Sequence, residues 1–246
     1  MSDTGAPERA PRVCSFRWEA LPTPGGGVRR LVRLDPADEL ALANVVAAAT
    51  PSIRRCLGGE SHASRVTAWH PSRGLALEPW RRARRRWLRD VRRLGRDARW
   101  VAVTDARACY PSIEAGVVVT RLRTLGIAED LAAEIGSWLR SLQDRGVQGL
   151  PVGPAASSVL AEAVLAVGDD AVRSTGTAHV RWVDDVVIFA PDRLTGIRAL
   201  DALRRSWQCV GLDLHEGKTA ILTGHDACAG IPGAHATSSM PAATLR

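Results

Sequence analysis

Residues 179–190 read HVRWVDDVVIFA, in which two aspartates interrupt two runs of β-forming residues. The runs His179–Val183 and Val186–Ala190 predict two strands, because β-branched and aromatic residues fit a pleated, half-buried surface. Only Asp184 and Asp185 separate the runs, which is hairpin spacing. Adjacent carboxylates fit such a turn poorly and repel each other, and a bound cation would offset that repulsion. A solvent-exposed polar turn is the alternative interpretation.

A second apolar run ends at an aspartate. Trp100–Thr104 predicts a short buried strand, and Asp105 follows it directly. Tyr110, the one tyrosine of the chain, comes five residues after this aspartate, and Ile113 comes eight residues after it. Further on, the turn-rich segment 149–154 precedes a predicted helix from residue 155 to about residue 172.

Other elements are predicted around these motifs. Residues 28–34 alternate apolar and basic side chains as a short strand does, and a helix capped by Asp38 is expected after them. Residues 80–96 predict an amphipathic helix with a dense arginine stripe, and residues 194–210 predict another helix. The stripe is either a solvated face that is arginine-rich through codon bias, or a surface that binds a nucleic-acid backbone.

Taken in chain order, four segments resemble the palm motifs of reverse transcriptases, in particular those of group II introns, retrons and abortive-infection systems. They are Asp105 with Tyr110 and Ile113, Gly149–Ser157, Trp182–Asp185 after Arg181, and Gly211–Thr219. Each motif alone is weak, whereas all four in the family's order indicate the family. The resemblance covers residues 100–222 well, and residues 28–99 resemble the family's fingers only loosely. It departs from the family at Trp182, where a tyrosine is usual.

This resemblance implies an α+β right-hand polymerase fold with a ferredoxin-like palm and small fingers. The corresponding division is a flexible tail over residues 1–27, a fingers-like region over 28–99, a palm over 100–223 and a flexible tail over 224–246. No helical thumb is evident after Thr219. Either the chain is a fragment, or a protein or RNA partner replaces the thumb, or the protein works without processivity.

The resemblance also implies catalytic roles for individual residues. Asp105, Asp184 and Asp185 would hold two Mg²⁺ ions, with Mn²⁺ as an alternative, since these hard cations prefer carboxylate oxygens. Lys218, the chain's one lysine, would protonate or neutralise the leaving pyrophosphate. Tyr110 would lie under the sugar and exclude a 2′-hydroxyl, unless it is an ordinary core aromatic.

Four further residues are expected to contact the incoming nucleotide. Pro151 and Gly153 belong to the loop before the predicted helix. Arg30 or Arg33, on the first predicted strand, would grip the triphosphate, although a solvated surface arginine is an equal alternative.

The implied function is RNA-directed DNA synthesis, in which deoxynucleotides are added to a 3′-hydroxyl by phosphoryl transfer. The expected partners are an RNA template, a nucleic-acid primer and deoxynucleoside triphosphates. A role in phage defence is a hypothesis by analogy. The alternatives are template-independent or protein-primed DNA synthesis, and a catalytically silent nucleic-acid-binding protein with a palm-like shape.

Composition supports a folded protein that attracts polyanions. Hydrophobic residues make up 46% of the 246-residue chain, and the net charge is +7. Because all but one of the 33 basic residues are arginine, codon bias weakens the argument from charge. The five cysteines include no C-x-x-C pair, which argues against a zinc site. We expect a soluble, cytoplasmic protein without a membrane segment, since no apolar run of about 18 residues occurs.

Overall fold

The computed structural model describes residues 14–23 and 26–224. Within these ranges the strands are β1 Phe16–Pro22, β2 Val28–Leu34, β3 Val66–His70, β4 Gly74–Leu77, β5 Trp100–Thr104, β6 Ala178–Trp182, β7 Asp185–Ala190 and β8 Ala220–Thr223. The α-helices are α1 Pro36–Cys56, α2 Trp80–Gly95, α3 Cys109–Ser112, α4 Ala115–Thr124, α5 Glu129–Gln143, α6 Ala155–Ser174 and α7 Arg193–Gln208. A short 3-10 helix spans Glu216–Lys218. Among the described helices, none is both long and apolar enough to cross a membrane.

A four-stranded antiparallel sheet organises the mixed helix and strand fold, and its strand order is β6-β7-β5-β8. The chain leaves β5 for helices α3 to α6, returns through the β6–β7 hairpin, and reaches β8 after α7. This is the β-α-β-β-α-β connectivity of ferredoxin-like folds. The antiparallel hairpins β1–β2 and β3–β4 form two separate sheets.

The central sheet is buried on both faces, because side chains alternate along each strand. On one face, residues such as Ala102 and Ile188 join the main core with α1 and helices α4 to α7. On the other face, Val103 and Val187 pack against Trp87 of α2. The arginine-rich helix therefore packs on this side of the sheet, mainly against β6 and β7.

Two glycines allow the loop before α6 to approach neighbouring backbone. Gly149 has a φ of +57°, and a Cβ there would overlap the carbonyl of Tyr110. Gly153 has a φ of +136°, and a Cβ there would lie 2.6 Å from the carbonyl oxygen of Val32. The Val32 amide also donates a hydrogen bond of 2.8 Å to Val152. The loop thus joins the β1–β2 hairpin to the segment that follows β5.

Most elements lie where the sequence predicts them, including β2, β5, α2 and α6. The prediction of a tail over residues 1–27 is wrong for Phe16–Pro22, which pairs with β2 as an antiparallel strand. The predicted cap is also wrong: Asp35 occupies the N-cap of α1, and Asp38 instead accepts a hydrogen bond of 2.7 Å from the backbone preceding β1. Apart from Gly224, the predicted tail over residues 224–246 lies outside the described residues.

Candidate active site

The three predicted carboxylates meet at one end of the central sheet. Asp105 follows β5 and Asp185 begins β7, and the last paired residues of these strands, Thr104 and Val186, lie opposite each other. Asp184 lies in the adjoining β6–β7 turn, where the charge of Asp105 acts on its carboxylate. Asp105 is buried, whereas the other two aspartates are partly exposed. The cluster is therefore anchored inside the protein and open to solvent on one side.

The turn that carries the cluster differs from its prediction. Trp182 pairs with Asp185, so the two-residue loop consists of Val183 and Asp184. Val183 takes the left-handed conformation, with a φ of +55°, which a β-branched residue rarely adopts and which costs on the order of 1–3 kcal/mol. The register of β7 explains the shift, because it must point Val186 into the main core.

Burial and mutual repulsion perturb the pKa values of the exposed pair. Burial, followed by the charges of Asp105 and Asp185, raises the pKa of Asp184 to about 8. Burial and the Asp105 charge raise the pKa of Asp185 to about 6, against the opposing charges of Lys218 and Arg84. Protein cations therefore compensate the cluster only in part. Its oxygen-only donor set suits a hard divalent cation.

Lys218 contacts the Asp105 carboxylate directly, and this hydrogen bond raises the pKa of the lysine. The contact depends on the segment between α7 and β8. The His215 amide donates to the Asp105 carbonyl at 2.7 Å, and the hydroxyls of Thr104 and Thr219 are 2.8 Å apart. The Lys218 side chain is 54% exposed, so its ammonium lies at the open side of the cluster.

Tyr110 lies in α3, immediately after the chain turns away from Asp105. Its hydroxyl donates a hydrogen bond of 3.2 Å to Ser158 of α6, and burial raises the pKa of the phenol. The Leu150 amide donates to the Tyr110 carbonyl at 2.8 Å, which connects the tyrosine to the loop before α6. Hydrogen bonds thus fix both the hydroxyl and the backbone of Tyr110, and its role in excluding a 2′-hydroxyl stays a prediction.

The remaining predicted residues lie on or beside the β1–β2 hairpin. Pro151 is buried, and Gly153 contacts the backbone of β2. Arg30 stacks over Trp18, with its Cζ atom 4.1 Å from the ring centre. Arg33 forms a 2.5 Å ion pair with Glu19. Both arginines therefore engage the neighbouring strand β1, and their contact with a triphosphate stays a prediction.

Arg84 and Trp87 of helix α2 meet Trp182, the last residue of β6, beside the carboxylates. Trp182 packs edge-on against Trp87, with ring centres 6.5 Å apart. The Arg84 guanidinium lies over both rings, at 4.0 Å from the centre of Trp87 and 5.2 Å from that of Trp182. Its charge also opposes the rise in the pKa of Asp185 that burial causes. No sequence pattern indicated this arrangement, because it joins residues from two distant segments.

A buried ion network that the sequence did not predict lies behind the turn. Arg181 of β6 is fully buried and pairs with Asp169 and Glu162, two acids on the same side of α6. Burial opposes ionisation of Asp169, but Arg181 and His179 lower its pKa to about 2. A usable signal existed: Glu162 and Asp169 stand seven residues apart in an apolar helix, a spacing that places two side chains on one face.

Asp169 and His179 also belong, with Glu60, to a group whose potential ligand atoms lie within 4.8 Å of one another. Arg181 neutralises Asp169, and Arg173 contacts Glu60. Because protein cations already occupy these acids, the group is structural in this fold.

Eight arginines on α2 or directly after it fall into two sets. One set is ion-paired: Arg82 and Arg86 with Glu78, and Arg89 and Arg93 with Asp90. The second set has no acidic partner among residues 14–23 and 26–224, and it consists of Arg81, Arg85, Arg92 and Arg96. Their spacings of four, seven and four residues place these four on one side of the helix axis, opposite the face that packs on the sheet. We call them the unpaired arginine row.

Comparison with known proteins identifies the fold but no family. No protein-family model matches the chain, and no curated protein matches it in sequence. Solved telomerases do share its fold. Telomerase from Candida albicans, in complex with a TWJ fragment of telomeric RNA, matches with a TM-score of 0.51 and 12% identity over 86% of this chain and 42% of that chain.

Two apo telomerase structures from Candida tropicalis match as well. One gives a TM-score of 0.59 and 11% identity over 91% of this chain and 46% of that chain. The other, truncated from its C-terminal domain, gives 0.54 and 11% over 87% and 51%. The chain thus spans about half the length of the structures it matches. Because telomerase is a reverse transcriptase, the chain has a reverse-transcriptase-like fold.

Proposed function

We propose that the protein is an RNA-directed DNA polymerase that adds deoxynucleotides to a 3′-hydroxyl. The observation that carries the proposal is the convergence of Asp105, Asp184 and Asp185 beside Lys218 on a reverse-transcriptase-like fold. A protein that only binds nucleic acid gains nothing from clustered carboxylates, which repel phosphate. Phosphoryl transfer, in contrast, needs hard cations at the reacting phosphate and little else from the protein.

The residues present fit divalent cations. Three carboxylates from two paired strand ends supply only oxygen ligands, as Mg²⁺ and Mn²⁺ prefer. The raised pKa of Asp184, about 8, indicates a buried negative charge that the protein leaves short of compensation. When bound, two metal ions would activate the primer hydroxyl and neutralise the transferring phosphoryl group. Asp105 and Asp184 would hold both ions, and Asp185 would be an outer ligand.

The surrounding residues supply binding, selection and a proton. Lys218, with its exposed ammonium next to Asp105, would neutralise or protonate the leaving pyrophosphate. Tyr110, fixed by Ser158, would stand against the sugar of the incoming nucleotide and exclude ribose. Pro151 and Gly153 would line the nucleotide site, and Arg30 or Arg33 would meet the triphosphate.

The proposed partners are an RNA template and a nucleic-acid primer. The unpaired arginine row supports a polyanionic partner, because four guanidinium groups on one helix face have no protein counter-charge among the described residues. A place in phage defence is a further hypothesis that rests on the likeness to bacterial defence enzymes alone.

Primer extension with product sequencing tests this proposal. The purified protein is given a primer annealed to RNA or to DNA of the same sequence, four deoxynucleotides, and Mg²⁺ or Mn²⁺. We expect product complementary to the RNA template, and loss of product with a chelator or with Asp105→Asn. Product unrelated to the template would favour template-independent synthesis. Tight nucleic-acid binding without incorporation under any condition would favour the silent binding protein.

A further inference from the structure

We propose that Arg181 is a positioning residue of the site: its buried guanidinium fixes the Val183–Asp184 turn and so holds Asp184 against Asp105. This inference rests on the proposed function for its catalytic consequence, and on the contacts of Arg181 for its geometry. Arg181 lies behind the turn and touches neither the carboxylate cluster nor the open side of the site in the hydrogen bonds described.

The guanidinium is held from three directions. Its Nε and Nη2 atoms donate to Asp169 at 2.8 and 2.6 Å. Its Nη1 atom lies 2.9 Å from Glu162 and also donates to the Val183 carbonyl at 2.8 Å. Because Glu162 and Asp169 both belong to α6, the long central helix fixes the position of the turn through a single side chain.

The backbone of Arg181 is fixed as firmly as its side chain. The segment before β3 runs beside β6, where Arg181 donates to the Glu60 carbonyl at 2.8 Å and accepts from the His62 amide at 3.1 Å. The Ser61 hydroxyl between them donates to Glu162 at 2.8 Å. Both ends of the Arg181 side chain therefore lie in a rigid, solvent-free setting, which a positioning role requires.

The turn needs such a support. Val183 has a φ of +55°, which is unfavourable for a β-branched residue, and the next residue is Asp184. Three carboxylates also meet at this end of the sheet, and their like charges push Asp184 away from Asp105 and Asp185. A charged hydrogen bond to the Val183 carbonyl opposes both effects, since it fixes the peptide that joins Val183 to Asp184.

Arginine suits this task and lysine does not. A planar guanidinium can hydrogen-bond two carboxylates and a carbonyl at the same time, because its five N–H donors point in fixed directions. An ammonium is a compact charge whose three donors lie at a single atom. Arg181→Lys therefore keeps the positive charge but cannot bond all three groups together. The matched control is Arg173→Lys, because Arg173 pairs with Glu60 in the same region, is half-exposed, and does not contact the turn.

Three measurements test the proposal on the full chain. They are single-nucleotide incorporation, calorimetric titration with Mn²⁺ alone, and hydrogen exchange of the Val183–Asp185 amides, with thermal melting as the check of folding. We expect Arg181→Lys to lower incorporation and Mn²⁺ affinity by about 10–100-fold and to speed turn exchange, as removal of an outer support of a metal site does. Arg173→Lys should match the parent in all three.

Each outcome separates this inference from the proposed function. Arg181→Lys with parental Mn²⁺ affinity, incorporation and turn exchange would overturn the positioning role. A second outcome is that the parent protein neither binds Mn²⁺ nor incorporates nucleotides, while Arg181→Lys still speeds hydrogen exchange in the turn. That outcome would refute the polymerase proposal and leave the support of the turn by Arg181 intact. If Arg181→Lys does not fold, the triple variant Arg181→Met, Glu162→Gln, Asp169→Asn removes the buried charges together and must show the same losses.

Discussion

Two acidic clusters flank strand β6, and Asp169 in one has surroundings opposite to those of Asp184 in the other. Behind the turn, Asp169 meets a buried arginine through charge-assisted hydrogen bonds, and its pKa falls to about 2. In front of the turn, Asp184 meets two further carboxylates, and its pKa rises to about 8. In the first cluster Arg181 compensates the charge of Asp169, whereas the second cluster leaves negative charge for something outside the chain to neutralise.

The contrast distinguishes acids that stabilise the fold from acids that are available to bind a cation. Buried acids and bases that satisfy one another are rigid and inert, and breaking such a pair is costly. Acids that are held together without enough counter-charge are poised to bind a cation. Comparing Asp169 with Asp184 therefore contrasts a carboxylate that the protein itself compensates with one that it leaves to an outside cation.

The same substitution should give opposite results in the two clusters. Asp184→Asn removes a repelled charge and a proposed metal ligand, so incorporation should fall by about 10³-fold or more while the metal-free protein melts no lower than the parent. Asp169→Asn breaks a buried ion pair and should cost about 3–5 kcal/mol of unfolding free energy. Primer extension and thermal melting measure both effects.

The exposed Asp170, one residue from Asp169, offers a control for the Asp-to-Asn change itself. Asp170→Asn should leave incorporation and melting close to those of the parent. Full activity of Asp184→Asn with Mg²⁺ supplied would break the comparison, because both clusters would then be structural.

Tyr110 is within electrostatic reach of both clusters, since the charges of Glu162 and Asp184 both act on its hydroxyl. Tyr110→Ala should admit ribonucleotides and reduce discrimination between the two sugars by about 10–200-fold, because it removes a steric block. Tyr110→Phe keeps the ring and removes only the Ser158 hydrogen bond, so it should discriminate nearly as the parent does. Single-nucleotide extension with matched ribo- and deoxyribonucleotides measures the ratio.

If a folded Tyr110→Ala variant selects deoxynucleotides as well as the parent, Tyr110 is a core aromatic. The raised pKa of Tyr110 would then reflect only the burial of its ring, and the proposal of DNA synthesis would lose its main single-residue support. Melting must accompany the assay, since loss of a buried aromatic costs about 3–5 kcal/mol.

Asp184 and Asp169 should contribute to the pH dependence of the unfolding free energy with opposite signs. Asp184 has a raised folded pKa, so the metal-free protein should lose stability as the pH rises from about 4 to about 8. Asp169 has a lowered folded pKa, so its contribution of about 2 kcal/mol should be lost as the pH falls from about 4 to about 2. Urea unfolding across this range, with a chelator present, should show Asp184→Asn flattening the upper slope. An unchanged upper slope would contradict the pKa assigned to Asp184.

The arginines of α2 allow the same comparison for positive charges, between those that pair with acids and those of the unpaired arginine row. Arg81→Ala with Arg92→Ala should reduce the slope of log affinity for nucleic acid against log salt by about 0.7–0.9 for each phosphate that is no longer neutralised. Arg82→Ala with Arg93→Ala removes arginines that already pair with acids, and should change the slope less. Equal slopes for both double variants would favour the codon-bias interpretation of the whole stripe.

Local patterns predicted much of this molecule, and long-range pairing explains what they missed. The strand before Asp105 and helix α2 were predictable, because apolar spacing alone defines them. The Arg181 network was not, since Ser61 and Glu162 meet across 101 residues of chain. The turn was predicted one residue too late because the sequence does not specify the register in which two strands pair. Strand β1 was missed because its proline- and glycine-rich surroundings resemble a flexible tail.

The close approach of β2 to the loop before α6 has a consequence for protein engineering. The Val32 amide bonds to Val152, and the Val32 carbonyl lies where any side chain at position 153 would begin. Neither segment can change its backbone path alone. A chimera that imports the β1–β2 hairpin from another protein of this fold must therefore import residues 149–154 with it, and these two stretches, far apart in the chain, form one exchangeable module.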